Sequence, residues 1–159
     1  MRQLVYRHEF HEAFHVLDSS GAEFQLLGSP RDAFRFSRSL VSCFGLPGFL
    51  KVALKQASSR RRLYCIFADG AVAHYGWVSF SFCRFYKVQA GDVVIGPIWT
   101  DDRFRGRGYA TLALMRTINE LMQKGSHVFW IDTSEDNVAC QKVIEKCGFG
   151  QKVSVFEKQ

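Results

Sequence analysis

A chain of 159 residues that is 47% hydrophobic and carries fifteen Phe has enough apolar mass to build one folded domain, and too much to stay disordered. Its formal charge of +6 is modest. A nucleic-acid partner calls for a clustered basic face with interleaved aromatics, and the only basic run, Arg60-Arg61-Arg62, reads as a solvated loop opening a strand. A basic surface equally suits a ligand carrying several phosphates. The chain has no apolar run long enough for a membrane span, and its N-terminus lacks the charged-then-apolar pattern of a secretion signal, so a cytoplasmic location is expected. Cysteines 43, 65, 83, 140 and 147 are odd in number and have no C-x-x-C spacing, which fits reduced core residues rather than a disulfide or zinc framework.

The first motif along the chain is His11-Glu12-Ala13-Phe14-His15. On a helix, H-E-x-x-H sets two imidazoles on one face to bind zinc, with the Glu as base. Nothing follows at metzincin spacing, and the break Asp18-Ser19-Ser20-Gly21 arrives three residues after His15. Polar residues at the edge of an N-terminal segment are therefore expected, and no metal ligands are assigned.

From Ser29-Pro30 the chain reads as helical, with Ser29 as cap, Pro30 in the first turn, and Phe34, Leu40 and Val41 forming an apolar stripe to Cys43. Gly45 ends this helix. Pro47 starts a second one to about Ser58, with Leu50, Leu54 and Ala57 expected to face inward. Residues 62–68 and 71–82 read as strands joined by the two-residue turn Asp69-Gly70. Gly91-Asp92 turns the chain into the next strand.

That strand opens the central stretch, residues 92–125. Residues 92–100 are apolar and β-branched, with a bulge expected at Gly96-Pro97. A glycine-spaced basic loop carrying Arg103, Arg105 and Arg107 follows. A helix then places Ala110, Leu114, Ile118 and Leu121 on one face and Arg116, Glu120 and Lys124 on the other, up to Gly125 as C-cap. Strand, Gly-rich loop and helix N-terminus together form an anion site, because the first helical N–H groups are unpaired and the dipole end is positive. Gly106 and Gly108 put no side chain between backbone and phosphate. A solvated basic turn capping an ordinary helix would use the same residues. The loop is neither a Walker motif nor a Rossmann fingerprint.

Residues 127–133 read as a strand. Ser134 or Asn137 caps a helix over 138–147 with Ala139, Val143 and Cys147 inward, Gly148 ends it, and the tail from Gln151 alternates as a last strand. An antiparallel hairpin followed by strand–helix–strand predicts an α/β fold: a mixed, mainly antiparallel sheet with one parallel pair.

Arg105-Gly106-Arg107-Gly108-Tyr109-Ala110 resembles the Arg/Gln-x-x-Gly-x-Gly/Ala signature of the GCN5-related N-acetyltransferase (GNAT) superfamily, and Arg103-x-x-Gly106-x-Gly108 matches in an overlapping frame. The family's second landmark, strand, Asn, short helix and Gly-Phe, is matched by residues 127–133, Asn137, residues 138–147 and Gly148-Phe149. The resemblance covers about residues 92–150. It implies one GNAT-like domain over 1–159, with a coenzyme core at about 92–150 and an acceptor side at about 1–90, where the two helices border the acceptor pocket.

The resemblance also implies acetyl-CoA as cosubstrate and a primary amine as acceptor. The best guess for the acceptor is a nucleotide-linked amino sugar, attacking directly in a ternary complex. Pantetheine would pair with the backbone of Ile98 and Thr100, and an N–H near Ile98 would stabilise the oxyanion. Arg105, Gly106, Arg107, Gly108, Tyr109 and Ala110 would hold the pyrophosphate. Asn137 matches a pantetheine-contacting position and can equally be a plain helix cap. Cys140 falls near the coenzyme sulfur region, although its type reads first as a small core residue.

Catalytic roles are less fully matched. Relatives commonly carry a Glu on the strand before the loop; here His74 and Asp132 are the candidates for the base. Relatives often place a Tyr five residues before the Phe of Gly-Phe, as acid for the leaving thiolate, and this chain has Ile144 there. A non-catalytic acyl-CoA-binding sensor or scaffold of the same fold is therefore the rival reading, with a small zinc peptidase more remote. The final strands offer a route to a homodimer, and the sequence does not decide the oligomeric state.

Overall fold

In the computed structural model, which describes residues 1–18 and 21–158, seven strands form one sheet in the order β2-β3-β4-β5-β6-β1-β7. In chain order the elements are β1 (Arg2–Glu9), β2 (Ala22–Leu27), α1 (Pro30–Arg35), α2 (Ser37–Ala57), β3 (Arg61–Ala68), β4 (Ala71–Phe80), β5 (Val93–Thr100), a 3-10 turn (Asp102–Phe104), α3 (Tyr109–Gln123), β6 (Val128–Ser134), α4 (Val138–Lys146) and β7 (Ser154–Glu157). All neighbours are antiparallel except β5 and β6, the expected mixed sheet. One face packs on α3 and α4 around Tyr64, Ile95, Leu114, Ile118, Phe129 and Ile144. The other packs on α1 and α2 around Leu40, Phe49, Leu63 and Trp77.

The parallel contact is short. Val93, Val94 and Ile95 pair with Phe129, Trp130 and Ile131, and the two strands then part. Gly96 has φ +133, and Pro97 has no N–H to give to a neighbour. On the other side of β5 the register shifts, so that Ile95 faces Val78 while Ile98 faces Gly76. The bulge expected at Gly96-Pro97 is therefore present, and it opens the sheet between β5 and β6.

The Asp69-Gly70 turn forms as expected, with both residues at positive φ (51 and 72). Ser29 caps α1 in a reciprocal box with Asp32. The single helix expected over 30–43 is instead two, separated at Phe36, whose ring stacks on Phe67 at 4.6 Å. The break expected at Gly45 is a kink inside α2, at φ +69.

Three inward faces differ from expectation. Phe34, Leu50, Leu54 and Ala57 are exposed, and the buried stripe of α2 beyond the kink is Phe49, Val52, Ala53 and Gln56. That stripe follows the i, i+3, i+4, i+7 rule starting one residue earlier. On α4 the buried residues are Cys140, Ile144 and Cys147, while Ala139 is exposed and Val143 half-buried. Ala110, expected in the core stripe of α3, is only half-buried at the helix start.

Residues 10–18 are not helical. Phe10 is buried against Phe129 and Phe149, and the Phe14 N–H donates to Asn119 Oδ1 at 2.8 Å. His11 and His15 therefore do not share a helix face, and the zinc-peptidase reading of this segment is corrected. Of the break at 18–21, Ser19 and Ser20 lie outside the described residues.

Candidate coenzyme groove and acceptor face

The glycine-spaced loop, the start of α3, the end of β5 and the outer face of α4 enclose a groove of about 550 Å³. The end of the groove nearest the loop is built by backbone. Gly106 and Gly108 sit at φ +75 and +77, where a side chain is strained, and a Cβ at either would project into open space. The first α3 bond to the cap runs from the Leu112 N–H to the Gly108 carbonyl, so the N–H groups of Tyr109, Ala110 and Thr111 precede the helical ladder. Gly108 provides no side-chain cap for them, and all three residues line the groove.

The charges around this cradle are partly those expected. Arg105 lines it, and its guanidinium is 3.0 Å from Asp102. Arg107 lies over the Phe104 ring at 5.2 Å and does not line the groove. Arg103 is bound by Asp101 at 2.8 Å. Lys142 and Lys146, one turn apart on α4, also line the groove. The family signature did not point to them, although their i, i+4 spacing on one face of a capped helix was readable.

The inner end is lined by Ile98, Trp99 and Thr100 of β5 and by Asn137 and Cys140 at the start of α4. Asn137 does cap α4: its Oδ1 accepts from the Cys140 N–H at 3.1 Å while the residue borders the groove, so both readings of it coincide. Cys140 is buried, and burial is the main force holding its thiol above the ordinary range.

The two candidate bases are far apart in character. His74 is fully buried on β4 beside β5, with Nδ1 2.8 Å from Thr100 Oγ1 and Nε2 without a partner. Burial lowers its pKa to about 4, so it is neutral near pH 7. It does not open onto the groove; it touches it through Thr100. Asp132 lies on β6 one residue past the last β5 pair, where the sheet opens. Its Oδ2 accepts from Tyr86 Oη at 3.0 Å. Burial raises its pKa, and the Tyr86 hydrogen bond acts in the opposite direction.

Along β6, Phe129 and Ile131 belong to the α3 core, so alternation puts Trp130 and Asp132 on the opposite face. Tyr86 packs at a tilt against Trp130, ring centroids 5.6 Å apart, and Trp130 Nε1 donates to Asp92 Oδ2 at 2.7 Å. Across the opening, the same face carries an aromatic series in which Trp99 is 5.3 Å from Tyr75 and Tyr75 is 4.8 Å from Phe44. Trp99 is 38% exposed.

A sequence model of the Acetyltransferase (GNAT) family matches residues 36–149, spanning α2 to α4 and the whole groove. The chain belongs to the GNAT family. Among curated proteins, a [ribosomal protein bS18]-alanine N-acetyltransferase of Haemophilus ducreyi is 27% identical over 74 residues, covering 46% of this chain and 49% of that protein. The match thus spans about half of that relative's length. Among solved structures, the aminoglycoside N-acetyltransferase AAC(6')-Iy in complex with CoA superposes with a TM-score of 0.63 at 20% identity, over 90% of this chain and 98% of that one. An aminoglycoside acetyltransferase from an uncultured soil metagenomic sample, in complex with sisomicin, gives a TM-score of 0.65 at 11% identity, over 87% and 95%. At these identities the structural likeness establishes the GNAT fold.

The longest helix of the chain carries no apolar window suited to crossing a membrane, and among the described residues none does.

Proposed function

We propose that this GNAT chain transfers an acetyl group from acetyl-CoA to a primary amine carried on a sugar. The observation that carries the coenzyme half is the open glycine cradle at the positive end of α3, ringed by Arg105, Lys142 and Lys146. The N–H groups of Tyr109, Ala110 and Thr111 bind the pyrophosphate. Backbone groups of Ile98 and Thr100, free where β5 leaves β6, pair with the pantetheine arm, and Asn137 and Cys140 border its sulfur end. Acetyl-CoA supplies an activated acyl thioester at that point. The coenzyme core is then residues 92–150. The acceptor side draws on residues 1–90 through Phe44, Tyr75 and Tyr86, and also on Trp99 and Asp132.

The acceptor half rests on the aromatic face. An exposed indole backed by Tyr75 and Phe44 is a flat surface for the C–H face of a sugar ring. Asp132, held by Tyr86 across the opening, takes the proton that the attacking amine loses. Burial raises its pKa, which makes it a stronger base than an ordinary exposed carboxylate. A nucleotide-linked amino sugar fits the basic charge of the chain; the solved aminoglycoside enzymes favour an amino sugar more broadly.

A protein N-terminus is the second reading, favoured by the curated relative that acts on a ribosomal protein alanine. Calorimetric titration with acetyl-CoA tests the coenzyme half: binding is expected, and no binding would leave the groove without its assigned ligand. Turnover with amino-sugar nucleotides and aminoglycosides, set against N-terminal peptides, then separates the acceptors. Binding without turnover on any amine would favour the sensor or scaffold reading.

A further inference from the structure

Among the described residues, two buried side-chain polar atoms have no hydrogen-bond partner, Tyr64 Oη and His74 Nε2. They are neighbours, with ring centroids 5.9 Å apart. Leaving such an atom unpartnered in a packed interior costs about 1–3 kcal/mol, so each orphan calls for a reason.

The fold makes room for the Tyr64 hydroxyl. Tyr64 on β3 stands opposite Gly76 on β4, and a Cβ on Gly76 would sit 2.1 Å from the phenol oxygen. The ring therefore crosses β4 at the one strand position without a side chain, and it ends on the α3 and α4 side of the sheet. The next residue along that line is Ile98, the β5 partner of Gly76. Ile98 and Cys140 pack in the same cluster as Tyr64, and both line the inner end of the coenzyme groove. Ile144, fully buried on α4, offers no donor there.

We propose that the Tyr64 hydroxyl is the hydrogen-bond donor to the coenzyme sulfur, meeting it when the thioester presses between Ile98 and Cys140. This rests on the acetyl-CoA reading of the groove. When the acceptor nitrogen bonds to the acyl carbon, the C–S bond breaks and its electron pair stays on sulfur. The Tyr64 O–H holds that thiolate, the surplus proton of the amine goes to Asp132, and the sulfur takes a proton from solvent after release. Burial pushes the Tyr64 pKa far upward, which keeps its proton in place as a donor. The Thr100 hydroxyl and His74 Nδ1, paired at 2.8 Å, close the same floor two pairs further along β5.

The experiment is calorimetry of the full chain and of Tyr64→Phe with two probes, CoA and desulfo-CoA, together with thermal melts. The wild type is expected to bind CoA about fivefold to tenfold tighter than desulfo-CoA, the worth of one hydrogen bond. Tyr64→Phe should bind both equally, at the wild-type affinity for desulfo-CoA, and should melt at or above the wild-type midpoint because an orphaned hydroxyl has been removed. Equal wild-type affinities, or a difference that survives in Tyr64→Phe, would overturn the assignment and leave the coenzyme reading standing. A Tyr64→Phe chain that melts far lower or fails to fold would show that the hydroxyl has a partner within the protein, overturning it as well. If the wild type binds neither probe, the coenzyme reading itself fails and this one with it.

Discussion

His74 Nδ1 and Thr100 Oγ1 are 2.8 Å apart across the β4–β5 ladder, joining a fully buried imidazole to a hydroxyl that borders the groove. The imidazole has no second partner, and burial lowers its pKa from 6.5 to about 4. The unfolded chain takes up a proton near pH 6.5, while the folded chain resists it down to about pH 4. Between those values the unfolded state binds more protons, so stability falls as pH is lowered. The loss from this one group is on the order of 3 kcal/mol across that window. Urea unfolding at pH 7 and pH 4.5 should show it, and His74→Gln should flatten that part of the pH dependence. An unchanged dependence in His74→Gln would mean that His74 titrates normally.

Lys142 and Lys146 give the groove its fixed positive wall, because Arg103 is bound by Asp101 and Arg107 lies over Phe104. Lys142→Glu and Lys146→Glu should each weaken CoA binding about tenfold at low salt, equivalent to about 1.4 kcal/mol, with a smaller effect at high salt. Melting midpoints should hardly move, since both side chains are exposed. Titrations at two ionic strengths check this. Wild-type affinity in both variants would place the phosphates elsewhere.

The inward face of α2 provides a stability test. Phe49 is 4% exposed and packs beside Leu40 and Val52, whereas Leu54 is 73% exposed. Phe49→Ala should cost about 3–5 kcal/mol of unfolding free energy. Leu54→Ala should stay within about 0.5 kcal/mol of wild type. Chemical denaturation of the two variants measures both, and equal losses would return Leu54 to the core.

That face was misplaced from sequence for a reason visible in α2. Leu46, Leu50 and Leu54 recur every fourth residue and outcompete Phe49, Val52 and Ala53 in any count of large apolar side chains. The kink at Gly45 resets the helix direction, and the sheet then takes the other stripe. β1 was illegible for a different reason. Inserted between β6 and β7, it buries Gln3, Leu4 and Val5 in succession and then carries Arg7, His8 and Glu9, so neither alternation nor a clean apolar run marks it. The stretch from β5 to α3 was legible because its signals are local: β-branched residues, a bulge proline, glycines at positive φ and an amphipathic helix. The proposed acceptor face was not, since the series Phe44, Tyr75 and Trp99 and the pair Tyr86 and Asp132 come from separate segments that only the folded sheet assembles.

Asp132 and Trp99 face the β5–β6 opening from opposite sides, and their variants should separate chemistry from acceptor binding. Asp132→Asn keeps the shape and the Tyr86 contact but cannot take a proton, so kcat should fall about a hundredfold or more while CoA affinity holds. The wild-type rate should climb as pH rises through the raised Asp132 pKa, because only the carboxylate accepts a proton, and that limb should vanish in Asp132→Asn. Trp99→Ala removes a half-exposed indole from the acceptor surface and should raise KM for an amino sugar about tenfold, with a smaller change in kcat. Steady-state kinetics over pH 5–9 with the best amine from the acceptor screen distinguishes the two patterns. A normal rate and pH profile in Asp132→Asn would assign proton removal to solvent. An unchanged KM in Trp99→Ala would move the sugar off the aromatic face, leaving the peptide N-terminus as the acceptor to test next.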